Sequence, residues 1–400
     1  PPRYHHKLID EEYFEWLFSM LEGTGLTFLY RCNLAGRAYY QSKLMATFDN
    51  SCVNQYNPDA AIWYRLAEYM RGCDPFAIAV RTARRHGIKI FAWFNWNEFH
   101  NVRRDWVSLI DPVWFEKPRK FWCSRDGSRF YHGVPDFGDS NVQERLTGLA
   151  AEVMGYGVDG FYLSTRSHSW APCWMGPGSQ ENMEPFGFNK SVVDAYYKKH
   201  GIDIRYEDYD TEQWHRIKGE HFSTLLAKTG AVIHQHNKPF IIGLVPDRYT
   251  LMGMGKQWAG RENIKLYKDW EGWIAEGSVD GICSEENCPH YKKIEPSNMS
   301  VFKDTVDKDF PLYTWGDTAW FVNRGAGPFS MGNWNRLTPD EVIGQIEMAK
   351  SAGAGGIFLH SMYHYTSIDS GGKFIGVNNE GYGILPRTEY FEKLREYSCV

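Results

Sequence analysis

The chain is short of most features that announce a chemistry. No apolar run approaches the length that crosses a bilayer, so a membrane-spanning helix is not expected. Net charge is only −5 and no long block of one sign occurs, which removes nucleic acid and anionic membranes from the expected partners. The eight cysteines (32, 52, 73, 123, 173, 283, 288 and 400) contain no C-x-x-C pair and no zinc spacing. His290 and His364 are too scattered to add a ligand signature, so no metal is expected. There is no Gly-rich phosphate loop after the first apolar run and no G-x-S-x-G elbow, which argues against a dinucleotide cofactor and a serine nucleophile. The expected cofactor set is empty.

What is present is a chain of 400 residues, rich in aromatics, with 16 Trp, 24 Tyr and 24 Phe. Short β-rich runs recur: 26–32, 89–95, 130–134, 160–164, 240–245, 281–284, 312–315 and 356–360. Amphipathic helical segments precede several of them. Residues 141–155 follow Ser140, with Gln143 three residues on, in a capping-box pattern. Residues 266–276 and 339–352 read similarly, the latter behind Thr338 as N-cap. Helix–strand alternation favours a parallel sheet, and eight such units close into a (β/α)8 TIM barrel with long loops at its C-terminal face. An open doubly wound sheet is the runner-up. No linker divides the chain. A single barrel domain is expected over about 25–365, with an N-terminal helical segment at 1–24 and a C-terminal segment at 366–400. Inserts at 33–75, 101–129, 165–190, 246–262 and 318–337 become mouth loops.

Three phrases share an entry and differ in their exit: G-V-D-G-F-Y-L-S from Gly157, S-V-D-G-I-C-S-E from Ser278 and G-A-G-G-I-F-L-H from Gly353. The shared part reads as a helix-to-strand turn at the bottom of the barrel, which makes Asp159 and Asp280 structural. The variable part ends at the mouth, where barrel enzymes place their chemistry.

Four stretches also resemble a known family. I-K-I-F-A-W-F-N-W-N-E-F-H (88–100), D-F-G-D-S-N-V-Q-E-R-L (136–146) with Y-G-V-D-G-F-Y-L, W-I-A-E-G-S-V-D-G-I-C-S-E and G-A-G-G-I-F-L-H-S are similar, in chain order, to phrases of the glycosyl-hydrolase-like domains called family 10-like. That resemblance implies a TIM barrel and a glycoside hydrolase acting on a carbohydrate. In those domains the fourth strand usually ends in Asp; here the position is Ser164. That departure motivates a non-catalytic glycan-binding barrel as one alternative; a polysaccharide lyase, abstracting a proton beside an Arg-neutralised uronate, is another.

Glycoside hydrolysis generally needs two carboxylates about 5–5.5 Å apart for retention or roughly 6.5–9.5 Å for inversion. Glu285, after the sixth expected strand, is the first candidate, with Glu286 beside it in case the register slips. Asp317 after the seventh, Glu98 after the second and Asp247 after the fifth are candidate partners. Each has a plainer alternative: a surface Glu, an Asx turn for Asp317, a salt bridge for Glu98, a pair with Arg248 for Asp247. Asp136 and Asp139 read as structural, the latter or Ser140 as a helix cap. Substrate-binding candidates at strand ends are Arg31, Asn33, Trp93, Asn95, Trp96, Arg166, His168, Trp315, Trp320 and His360. Trp faces would stack on sugar rings, and Arg forks would suit an acidic or sulfated glycan, while a neutral glycan is expected if those Arg residues instead pair with the mouth carboxylates. The sequence opens Pro-Pro-Arg, which fits a processed, secreted or periplasmic protein.

Overall fold

The computed structural model describes residues 10–34, 36–49, 67–97, 120–165, 185–251, 265–285, 296–317, 319–321, 334–336, 338–360, 367–368, 374–375 and 387–398. Its centre is a sheet of seven parallel strands: β1 (Phe28–Arg31), β2 (Ile90–Asn95), β3 (Gly160–Ser164), β4 (Phe240–Leu244), β5 (Gly281–Ser284), β6 (Leu312–Asp317) and β7 (Gly356–His360). They pair strictly in sequence order.

The sheet is curled, and its inner face packs on itself. Neighbouring strands lie about 4.8 Å apart, so in a flat sheet β3 and β7 would be roughly 19 Å apart. Yet the rings of Tyr162 on β3 and Phe358 on β7 have centroids 4.7 Å apart. Trp93 on β2 and Trp315 on β6 are 5.8 Å apart. With Ile241 and Cys283 these rings form an inner core separate from the main one. The main core lies between the outer face of the strands and the helices, and contains Phe94, Phe161, Phe240 and Ile282. Alternation along each strand, with period two, assigns residues to one core or the other.

The expected eight-stranded closed barrel is corrected in one element. Residues Phe130–Pro135 do form a strand, but it pairs antiparallel with Phe121–Cys123 in a separate hairpin. The connecting Asp126-Gly127 step explains this. Gly127 takes φ +71°, and Asp126 accepts hydrogen bonds from the Ser124 hydroxyl and the Ser128 N–H. A D-G turn between two short apolar runs is a hairpin signal, and no crossover helix separates them. Among the described residues no ladder joins β1 to β7. The helix layer is continuous there instead. Helix α1 (Glu11–Leu21) packs on the C-terminal helix Arg387–Ser398, which also packs on Pro339–Ser351. Arg395 ties the two ends by donating to the carbonyls of Glu22 and Met20 at 2.8 and 2.9 Å.

The shared entry phrases have a concrete job. Gly157, Gly277 and Gly353 all adopt positive φ, +79°, +66° and +81°, as the last turn of a helix hands over to a strand. The aspartates then clamp the preceding strand. The Asp159 N–H donates to the Ile90 carbonyl, and its carboxylate accepts from the Ile90 N–H at 3.0 Å. Asp280 does the same to Phe240, with His234 as a second partner at 2.8 Å. In the third phrase Gly355 keeps only the backbone half, donating to Leu312. Asp280→Ala therefore leaves the Phe240 N–H unpaired. It should lower unfolding free energy by about 1–2 kcal/mol, read from denaturant midpoints at unchanged m.

The remaining helices follow their caps. Residues Ser140–Met154 are capped by Asp139, one residue earlier than the Ser140 box predicted, because the Asp139 carboxylate accepts from the Val142 N–H. Gln143 instead donates to the Phe137 carbonyl. Thr338 caps Pro339–Ser351 through a full capping box with Glu341. Trp270–Ala275 starts behind Asp269, later than the pattern implied. Among the described residues no helix is long and apolar enough to cross a membrane.

Candidate functional site

The C-terminal ends of the seven strands converge on one rim, and Glu285 is the acid the structure places there most fully. It stands one residue past β5 but keeps strand pairing, its N–H donating to the Leu244 carbonyl at 2.8 Å. Alternation then puts its side chain on the face of Cys283, toward the inner core. Glu285 is 1% exposed. Its Oε1 accepts a hydrogen bond from the Tyr162 hydroxyl at 2.5 Å.

That contact spans β4, which lies between β3 and β5. It is possible because β4 carries Gly243 at the crossing. A Cβ on Gly243 would sit 2.3 Å from the Glu285 carboxyl carbon and 2.3 Å from the Tyr162 oxygen. The missing side chain is the slot in which the two meet. Burial first, and then the nearby Cys283 and Glu285, push the Tyr162 hydroxyl well above its ordinary range. It therefore stays a proton donor to the carboxylate throughout ordinary pH.

A buried amine completes this corner. Lys268 is 0% exposed and donates to the Val245 carbonyl at 2.9 Å, just beyond β4. Desolvation drives it down to about 7, Asp247 and Glu285 pulling upward and Arg248 downward. Neither Tyr162, Gly243 nor Lys268 stood out in the sequence. The signal available was parity: Tyr162, Gly243 and Cys283 share the inward face with Glu285, and a glycine inside an otherwise apolar strand marks a close approach.

The other candidates divide. Asp247 builds a turn: its Oδ1 accepts from the N–H groups of Tyr249 and Thr250. Burial raises its carboxyl, but the Thr250 and Tyr249 bonds and the Lys268 charge outweigh that and hold it low. Arg248 pairs with Glu271 at 2.6 Å and lies 3.4 Å over the Trp270 ring, leaving Asp247 to the turn. Asp317 ends β6, and its backbone pairs in register with His360 at the end of β7. Both are thus strand-end positions of the same rim as Glu285. Trp320 falls in a short antiparallel pair, Ala319–Phe321 with Trp334–Arg336. Glu98, Glu286, Arg166 and His168 lie outside the described residues.

Among the described residues, the rim on the β1–β2 side carries neutral amides and an arginine. Asn33 and Asn95 lock each other, with the Asn33 amide donating to the Asn95 carbonyl and accepting from its N–H, both at 2.9 Å. Trp93 donates to the Asn95 side chain at 2.7 Å. The Arg31 guanidinium donates to the Asn33 carbonyl and stands 5.3 Å from the Trp93 ring centre. Trp93 and Trp315 are buried in the floor of the rim, whereas Trp96, 1% exposed, faces the helix layer near Phe161. The Trp96 indole is thus committed to the main core. Ser164, buried at the end of β3, sits in register between Asn95 and Gly243. Among the described residues no group of three or more His, Cys, Asp or Glu side chains could hold a metal ion.

The fold has relatives among solved structures. The chain is similar to the catalytic domain of a β-amylase from Paenibacillus polymyxa, at 13% identity and TM-score 0.54, over 98% of this chain and 96% of that one. It is also similar to a β-galactosidase from the psychrophilic Marinomonas ef1, at 8% identity and TM-score 0.51, over 98% of this chain and 57% of that one. At these identities the likeness is one of fold. No protein-family model and no curated protein matches the chain, so the likeness to family 10-like domains rests on the four phrases alone.

Proposed function

We propose that this chain is a glycoside hydrolase whose reacting carboxylate is Glu285, with Asp317 on the adjacent strand as the second acid. The observation that carries the reading is the Glu285–Tyr162 contact: a buried carboxylate at the strand-end rim, held by a hydroxyl that does not ionise in the working range. A carboxyl oxygen that accepts a hydrogen bond from a hydroxyl is stabilised in its charged form by that bond. Glu285 is thereby suited to attack the sugar or activate water, and Asp317 to protonate the leaving oxygen. The two solved relatives with the same fold are, by name, enzymes of glycosides, which supports the class and leaves the sugar open. Arg31 beside Trp93 offers a cationic, aromatic corner suited to an acidic or sulfated unit.

The test is release of new reducing ends from a panel of neutral, uronic and sulfated polysaccharides. Release by the wild type, lost in Glu285→Gln, is the expected result. A product that absorbs in the ultraviolet would replace hydrolysis with a lyase. Calorimetric binding without any product would leave a glycan-binding barrel, the reading that Ser164 favours by supplying no carboxylate at the end of β3.

A further inference from the structure

We propose that His86 is a pH-dependent latch: as an imidazolium it clamps the N-terminal helix α1 onto the helix Pro75–Arg85, and as it loses its proton the clamp loosens. The latch lies in the outer helix layer and is independent of Glu285 and of any sugar chemistry.

Helix α1 covers β1 from outside. Phe14 and Phe18 are buried on its inner face, with the Phe18 and Phe28 rings 5.3 Å apart and the Phe14 and Tyr30 rings 6.5 Å apart. Its flank meets the end of the helix Pro75–Arg85 through charge. Arg85 donates to Glu11 at 2.7 Å and also to Glu15, and Arg81 lies 3.7 Å from Glu11. His86, half-buried, is the C-cap of that helix and completes the row. Its Nε2 is 2.6 Å from Glu15 Oε2, and its Nδ1 is 2.5 Å from Glu22 Oε1.

Those two contacts fix the proton count. A neutral imidazole has one N–H and one lone pair, whereas an ionised carboxylate offers only lone pairs. Both ring nitrogens face carboxylate oxygens, so both bonds form only when both nitrogens carry protons. Losing one proton replaces a charge-assisted bond with two opposed lone pairs. Two positions sharpen the effect. His86 caps a helix C-terminus, where a cation is favoured, and Glu22 is the C-cap of α1, where an anion is not. The bond to Glu15, opposed by burial and aided by the bond to Glu22, holds the imidazole above its ordinary range. The charged groups around it are Glu11, Glu15 and Glu22 from α1, and Arg81 and Arg85 from its own helix. Arg84 turns to the Gly157 carbonyl, Lys89 is exposed, and Arg395 of the C-terminal helix donates to the Glu22 and Met20 carbonyls. Of all these, His86 alone has an ordinary titration between about pH 5 and 8. Because its folded-state value is raised, the clamp is complete below the unfolded value of about 6.5 and is lost as pH rises through the folded one.

The test is hydrogen exchange of the full-length chain, without any sugar, at roughly pH 6 and roughly pH 9, on either side of that titration. Exposure times are scaled to intrinsic exchange rates, and peptides covering Glu11–Leu21 are followed by mass. Relative to the helix Thr211–His234, α1 should lose about two- to fivefold in protection at the higher pH, the size of a part-exposed charge pair. In His86→Gln, which does not titrate, that difference should vanish. Histidine-selective NMR gives a second reading: the His86 midpoint should lie above the ordinary histidine value and fall in Glu22→Gln. Relative protection of wild-type α1 that is equal at both pH values overturns the latch, as does a difference that persists in His86→Gln. If that variant does not fold, a wild-type His86 midpoint at or below the ordinary value overturns it equally.

Discussion

Glu285→Gln should abolish turnover while leaving the fold in place. The amide keeps the shape of the carboxyl and its carbonyl oxygen can still accept from Tyr162, so the hydrogen bond at Oε1 survives. What disappears is the negative charge that would attack the sugar or activate water. Loss of one member of a catalytic unit typically costs on the order of 10⁴-fold or more in kcat. The check is reducing-end release on a substrate that the wild type cuts, together with an unchanged thermal midpoint. A variant that still cuts at the wild-type rate would remove Glu285 from the chemistry altogether.

Gly243→Ala should be nearly as damaging, though Gly243 carries no functional group. The added methyl would stand 2.3 Å from both the Glu285 carboxyl carbon and the Tyr162 oxygen. Neither has much room to yield. Tyr162 is buried among Trp93, Trp315 and Phe358, and Glu285 is pinned by its own backbone bond to β4. The contact between the two must open by an ångström or so. A misplacement of that size typically costs about 10²-fold in rate. Overpacking of this kind lowers stability by about 1–3 kcal/mol. Paired measurements of kcat/KM and denaturant midpoint separate the two effects. Unchanged activity in Gly243→Ala would mean that the slot does not position the carboxylate.

The two predictions probe different layers of the same corner. Glu285→Gln alters charge at fixed geometry, and Gly243→Ala alters geometry at fixed charge. A chain in which the first is silent and the second is not would have its reacting acid elsewhere on the rim, with Asp317 the next position along the sheet.

Legibility varied with how local the determining physics was. The V-D-G phrases could be read because a left-handed glycine, an aspartate and a small strand-entry residue do their work within a few residues and one neighbouring strand. Thr338 as a cap was readable for the same reason. The Phe130–Pro135 strand was recognisable, but its partner was not, since periodicity reports a strand and says nothing of what pairs with it. The D-G turn held that information and was outweighed by the count of alternating units. Asp247 looked like a mouth acid from its place after β4, but two backbone N–H groups claim it for a turn. Trp96 follows β2 like a mouth residue, yet parity sends it to the helix side with Phe94.

By itself, the sequence determined the parallel α/β order, the entry turns and the position of Glu285 at a strand end, because short-range periodicity, capping and turn chemistry set these. Only the tertiary structure decided that the sheet curls until Tyr162 meets Glu285 across Gly243, with Lys268 buried behind. Those residues are 42 to 123 positions apart for the two pairs that touch Glu285's carboxyl, and nothing in a linear pattern encodes which inward-facing side chains a curled sheet will bring together.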